Sequence, residues 1–229
     1  MGAVLASRLV NGDIGDLYDY AAIRAIEVST MFVPHIERAL LVLGSSQSLD
    51  VLKGEVSEKV TLRRRKGGGG LVLLHPGDLW VDWWIPSNDE HWSKDVHVSS
   101  IRAGTLWRDV VASRVSLPVT VHEGSLEGEL AHRMVCFAGK GPGEVFVGGR
   151  KAVGVTQWRV REGVFLSTVL ATHHLREVLS YLREVPKGLN EALDGYEFSN
   201  LTTTDTEAMI EELRRASGAR VVVRPSLSS

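Results

Sequence analysis

Three β-rich runs follow one another between residues 144 and 170, with only two residues between each run and the next. The runs are 144–147, 150–161 and 164–170, and the links are Gly148-Gly149 and Glu162-Gly163. A Gly-Gly pair adopts the positive φ of a tight reversal at no steric cost, so the pattern predicts two hairpins in series. No other stretch constrains the fold as much, because such a meander must have at least one face covered. Alternation puts Lys151, Val153, Val155, Gln157 and Arg159 on one face of the middle strand. That face carries polar groups where a half-buried sheet is ordinarily apolar.

Short apolar runs at 39–43, 60–62, 71–74 and 79–85 read as further strands, with His75-Pro76-Gly77 as the turn between the last two. Residues 134–137 read as one more. A helix is predicted within 95–113, where Val96, Ala103, Trp107, Val110 and Val111 fall at helical spacing. Leu175, Val178, Leu179 and Leu182 step along one face of a second, and Pro186 lies just past its end. A third is predicted over 205–216, with Thr204 and Glu207 as a capping box and Gly218 as its stop. Strands and helices mix without strict βαβ alternation. The predicted class is therefore α+β (mixed α/β), a mixed, mostly antiparallel sheet flanked by helices. One domain over residues 1–229 is expected, without a separate C-terminal accessory domain, because about 47 residues follow Leu182.

Several function classes are disfavoured. No apolar run approaches the ~20 residues of a membrane span, so no membrane partner is expected. The net charge of -2 gives no case for nucleic acid. Cys136 is the one cysteine, which excludes an internal disulfide. The first residues turn acidic too soon for a secretory leader, so a cytoplasmic, reducing location is expected. No His/Cys/Asp/Glu spacing suggests a metal site, and no Gly-x-Ser-x-Gly elbow is present.

Glycine and basic charge coincide in two places. Arg63-Arg64-Arg65-Lys66 runs straight into Gly67-Gly68-Gly69-Gly70. Six glycines between 139 and 154 surround Arg150 and Lys151. Adjacent cations attract an anion, and glycines let backbone N–H groups approach it, which suits a phosphate, a phosphopantetheine or an adenylate. No Gly-Lys-Ser/Thr closes the first loop, so it is not a Walker loop. Residues 139–143 are not a dinucleotide fingerprint, because Glu144 stands where a glycine is needed and a strand follows. Cys136 reads either as a small core hydrophobe or as a nucleophile whose thiolate needs Lys140 or Lys151 nearby. His75, in its turn, is placed to touch a ligand. Trp80, Trp83, Trp84 and Trp92 read as the lining of an acyl or heterocycle pocket, or as core.

Arg64-Arg65-Lys66-Gly67-Gly68-Gly69-Gly70 before a strand resembles the arginine-arginine-x-x-glycine-glycine-glycine loop of lipoate–protein ligases and octanoyltransferases, members of the biotin/lipoate ligase superfamily. Gly149-Arg150-Lys151-Ala152-Val153-Gly154, continuing to Arg159, is similar to that family's second signature. Leu41-Val42-Leu43-Gly44-Ser45-Ser46-Gln47 resembles the strand and loop that precede the arginines. The resemblance implies a biotin/lipoate-ligase-like catalytic domain that transfers octanoyl or lipoyl groups to a lysine of a lipoyl carrier domain, of the glycine cleavage H protein or dehydrogenase E2 type. It implies that Lys151 contacts the acyl carbonyl, and that Arg64, Arg65, Gly68, Gly69, Gly70, His75, Gly154 and Gln157 bind substrate. Two subfamilies compete. Val135-Cys136-Phe137 resembles the cysteine site of one octanoyltransferase class, in which the thiolate takes the acyl group from acyl carrier protein as a thioester and no cofactor is needed. The ligases instead use ATP with magnesium and free lipoate, through an acyl adenylate. A third reading is a non-catalytic relative that binds an acyl or adenylate ligand, or a carrier. Three positions depart from the family pattern: Leu74 stands where a histidine is expected, Gly143-Glu144 replaces an asparagine-aspartate pair, and Trp158 replaces a small or basic residue.

Overall fold

The computed structural model describes residues 7–8, 14–56, 59–129, 131–173, 175–198 and 200–225. In chain order the described strands are β1 Ser7–Arg8, β2 Thr30–Phe32, β3 Leu40–Leu43, β4 Glu55–Val56, β5 Thr61–Arg64, β6 Val72–Leu74, β7 Trp80–Pro86, β8 Val119–Val121, β9 Val145–Val147, β10 Arg150–Val160, β11 Gly163–Leu170 and β12 Val221–Val223. The α-helices are α1 Tyr20–Arg24, α2 Val96–Ala112, α3 Leu189–Ala192 and α4 Thr203–Ser217. Short 3-10 helices cover Leu49–Val51, Ala131–Met134 and Leu175–Tyr181.

Seven strands form the main sheet in the order β12-β2-β7-β11-β10-β9-β8. Its pairs are antiparallel except β12 with β2. The meander is its centre. Gly148 and Gly149 have φ of 55° and 83° and close the β9–β10 hairpin with Val147 opposite Arg150. The second reversal lies one residue earlier than the sequence suggested: Val160 pairs with Gly163, so Arg161-Glu162 is the turn. Gly163 belongs to the strand, where a Cβ would meet Ile85 O at 2.5 Å.

Strand alternation separates two apolar layers. Val81, Trp83 and Ile85 face α2 and α4, packing on Trp107, Val110, Met209 and Leu213. Trp80, Trp84, Phe165 and Val169 face a second, three-stranded sheet ordered β5-β3-β6. Trp80, Trp83 and Trp84 are therefore core, and Trp92 packs partly buried against it. Asp95 caps α2 through the His97 and Val98 N–H groups.

Three expectations need correction. Residues 134–137 are not a strand: the Ala131–Met134 turn is followed by a single bridge from Val135 to Leu71. The capping box of α4 is made by Thr202 and Asp205, not Thr204 and Glu207. The apolar face after Leu175 forms a 3-10 helix, for which the same i, i+3 spacing serves. The first residues, read as too soon acidic for a leader, largely lie outside the described residues.

Candidate active site

Where the ends of the small sheet meet β10 and the first turn of α2, the chain encloses a cavity of about 430 Å³. That is the size of a small-ligand pocket. Both basic glycine segments reach it. Arg65, Gly68, Gly69 and Gly70 form one wall; Cys136, residues 139–142, Glu144 and Lys151 form the opposite one; Val155, Thr156 and Gln157 of β10 form the floor.

The glycine wall is fixed by Arg65, which is 2% exposed. Its guanidinium donates to Gly68 O through Nε and Nη2 at 3.1 and 2.8 Å, and to Gly70 O at 2.7 Å. Burial pushes its pKa down. Gly70 lets this wall touch the opposite one, because a Cβ there would lie 2.5 Å from Val135 N. Gln47 adds a stitch, accepting from Gly44 N at 3.0 Å and donating to Met134 O at 3.0 Å. Thr156 donates to Gly68 O at 2.9 Å from the floor.

Lys151 is the second residue of β10, just after the hairpin turn, so its backbone is fixed by the sheet. It is 4% exposed. Its Nζ lies 2.5 Å from Glu144 Oε1 and donates to Cys136 O at 2.6 Å and Gly139 O at 3.1 Å. Burial pushes the Glu144 carboxyl up, while the Lys151 ammonium opposes that rise. Burial also pushes the Cys136 thiol up; Lys151 and Arg65 pull it back, and Glu144 adds to the rise.

Of the residues expected from sequence, Arg65, Gly68, Gly69, Gly70, Cys136, Lys151 and Gln157 converge on this cavity. Gly154 lies just beneath it, where a Cβ would sit 3.0 Å from Cys136 Sγ. Gln157 lines the floor while its amide holds α2, donating to Val96 O at 2.8 Å and Ser100 Oγ at 2.7 Å. Arg64 and His75 do not line the cavity. Arg64 secures the turn after β3, donating to Gly44 O at 2.9 Å and Gln47 O at 2.6 Å. His75 packs 4.3 Å from the His173 ring, beside Glu177. His174, the other member of that histidine pair, lies outside the described residues.

Sequence reading missed Glu144, His132 and Arg133 as lining groups. Glu144 registered only as a departure from two motifs, a dinucleotide fingerprint and an asparagine-aspartate pair. Pairing outward from Gly148-Gly149 sets Phe146, not Glu144, opposite Lys151, and the register shifts between Lys151 and Val153, so the turn alone did not give the contact away. Arg65, Arg133, Lys140 and Lys151 give the cavity four basic side chains against one carboxylate, Glu144. Among the described residues no group of three or more His, Cys, Asp or Glu side chains could hold a metal ion.

No family model matches the chain, and no curated protein matches it. Solved structures do. The protein Ta0514 of T. acidophilum with bound lipoic acid superposes at a TM-score of 0.66 and 15% identity, over 92% of this chain and 81% of that one. Lipoate-protein ligase A bound with ATP gives 0.63 and 18%, over 92% and 82%. A bi-partite lipoate protein ligase of Thermoplasma acidophilum, described together with its E2 lipoyl domain, gives 0.58 and 17%, over 92% and 80%. Identities this low speak for the fold alone, and on that ground the chain has the mixed α/β fold of these lipoate–protein ligase structures.

Proposed function

We propose that this chain attaches a lipoyl group to the side-chain amine of a lysine on a lipoyl carrier domain, with ATP activating the lipoyl carboxylate as an adenylate. The observation that carries this reading is the excess of basic side chains around Lys151 in a cavity walled by a glycine loop. Phosphate and carboxylate oxygens suit such a wall. Activation joins the lipoyl carboxylate to the α-phosphate and releases pyrophosphate. The carrier amine then attacks the acyl carbon, loses its proton and expels AMP. Lys151 would donate to the acyl oxygen as charge develops there. Glu144, the cavity's one carboxylate, is already bonded to Lys151 and to Gly141 N–H. A magnesium ion would therefore be carried chiefly by the phosphates. The ATP-bound and lipoic-acid-bound structures of the same fold support this route, as does the raised thiol of Cys136, which works against a resting thiolate.

A second reading keeps Cys136 as the nucleophile. It is supported by the thiol lining the same cavity, with Lys151 and Arg65 both favouring its anion. There the thiolate would displace the carrier's thiol from octanoyl acyl carrier protein, and the target amine would then displace Cys136 from the enzyme thioester. Mass spectrometry of an apo lipoyl domain separates the two. With lipoate and MgATP, a lipoyl mass increment should appear for the parent and for Cys136→Ser at rates within about twofold. An increment that needs octanoyl acyl carrier protein, ignores ATP and vanishes in Cys136→Ser would replace the first reading with the second. Ligand binding without any transfer would favour a non-catalytic relative.

A further inference from the structure

An ammonium has three N–H bonds, and Lys151 spends all three within the protein. Its acceptors are Glu144 Oε1 at 2.5 Å, Cys136 O at 2.6 Å and Gly139 O at 3.1 Å. No donor is left for a ligand oxygen, although the side chain lines the cavity. Glu144 is 6% exposed, and its second oxygen accepts the Gly141 N–H at 2.6 Å. One carboxylate thus ties the lysine to the 139–143 segment, and the lysine holds the same segment through Gly139. Residues 139–143 are joined outward as well: Glu127 and Lys140 exchange backbone hydrogen bonds of 2.8 and 3.1 Å. Of the three contacts the Gly139 carbonyl is the longest and, like the Cys136 carbonyl, uncharged, so it is the one most readily exchanged.

We propose that Glu144 is a positioning residue that fixes the Lys151 ammonium against residues 139–143, so that an acyl oxygen reaches Nζ by replacing the Gly139 carbonyl as that segment shifts. Glu144 touches Lys151 and the loop rather than the ligand, so it acts through them. The inference rests on the acyl-attachment reading only for the identity of the incoming oxygen.

Glu144→Gln puts an NH2 in place of one of the two oxygens, so the Oε1 contact with Lys151 and the Oε2 contact with Gly141 N–H cannot both stay as they are. Its kcat for transfer should fall on the order of tenfold or more, with the KM for the carrier within about twofold. Glu144→Asp should recover part of the loss. In a Lys151→Ala background, Glu144→Gln should add no further loss, because its effect passes through the lysine. Two losses that multiply in full, or an unchanged kcat in Glu144→Gln, would overturn the proposal. A readout free of activity is amide hydrogen exchange. Residues 139–141 should exchange at least about tenfold faster in folded Glu144→Ala, or in Glu144→Gln if the alanine variant does not fold. Parental exchange rates would show that Glu144 does not tie the loop. If the parent transfers nothing to any carrier, the acyl-attachment reading falls, and the exchange experiment still decides the role of Glu144.

Discussion

Two glycine-rich segments of this chain each bury a cation against backbone carbonyls, and they balance its charge differently. Arg65 meets the carbonyls of Gly68 and Gly70, and no carboxylate is among its hydrogen-bond partners. Lys151 meets the carbonyls of Cys136 and Gly139 and, in addition, the Glu144 carboxylate. Carbonyl dipoles hold a guanidinium in place without cancelling its charge, so the Arg65 wall keeps a standing attraction for an anion. Lys151 and Glu144 form a neutral pair, and the lysine becomes a donor to a ligand only when a contact is exchanged. Two segments of similar composition thus do different work: one attracts a ligand, the other responds to it.

The largest expected effect tests how the two walls are joined. A Cβ on Gly70 would lie 2.5 Å from Val135 N and 2.6 Å from Met134 C, both backbone atoms, whereas one on Gly68 meets nothing within 4 Å. Gly70→Ala should lose on the order of 4 kcal/mol or fail to fold, and Gly68→Ala should stay within about 0.5 kcal/mol, as read from urea unfolding midpoints. Equal stabilities would mean that close approach at Gly70 does not position the walls.

The next effect asks whether Arg65 is held as described. Arg65→Met strands buried carbonyls and should cost about 2–3 kcal/mol. Arg64→Met should cost less, about 1 kcal/mol, because its carbonyl partners lie in a turn nearer water. The reverse ranking would make Arg64 the structural residue and free Arg65 for the ligand.

A third buried charge sharpens the comparison, since it has neither arrangement. Asp82 is 0% exposed, and burial pushes its carboxyl from 3.8 up to about 7 against hydrogen bonds from the Trp80 indole and Thr168 N–H. The folded state therefore favours the protonated form. Its contribution is fully present below about pH 3.8 and is lost as pH rises to about 7. Relative to Asp82→Asn, the parent should lose stability across that window by at most about 1.4 kcal/mol per pH unit. Parallel curves for the two proteins would show that Asp82 is ionised in the fold throughout.

What could be read in the sequence follows the range of the interactions. The β9–β10–β11 meander was legible because Gly148-Gly149 dictates its turn locally, and α2 because its apolar period lies within one segment. Residues 134–137 look like a strand by composition, yet only Val135 finds a partner, and nothing local reveals the absence of a second. Strands β2 and β12 have three residues each and are defined by partners 50 or more positions away. At the site, motif positions located Lys151, Arg65 and Gly68 to Gly70, while Arg64 and Arg65 could not be told apart until β5 fixed which one pointed inward. Glu144 was read only as a departure from two motifs, because nothing in its spacing links it to Lys151.

The most direct test of the acyl-attachment account is single-turnover transfer of lipoate to an apo lipoyl domain by the parent and by Lys151→Ala, with and without ATP. The account expects an ATP-dependent, lysine-linked lipoyl group from the parent and a rate lower by about 100-fold in the variant, a loss on the order of 3 kcal/mol, with the variant's circular dichroism spectrum unchanged. Parental rates in a folded Lys151→Ala, or no transfer by the parent under any of these conditions, would contradict it.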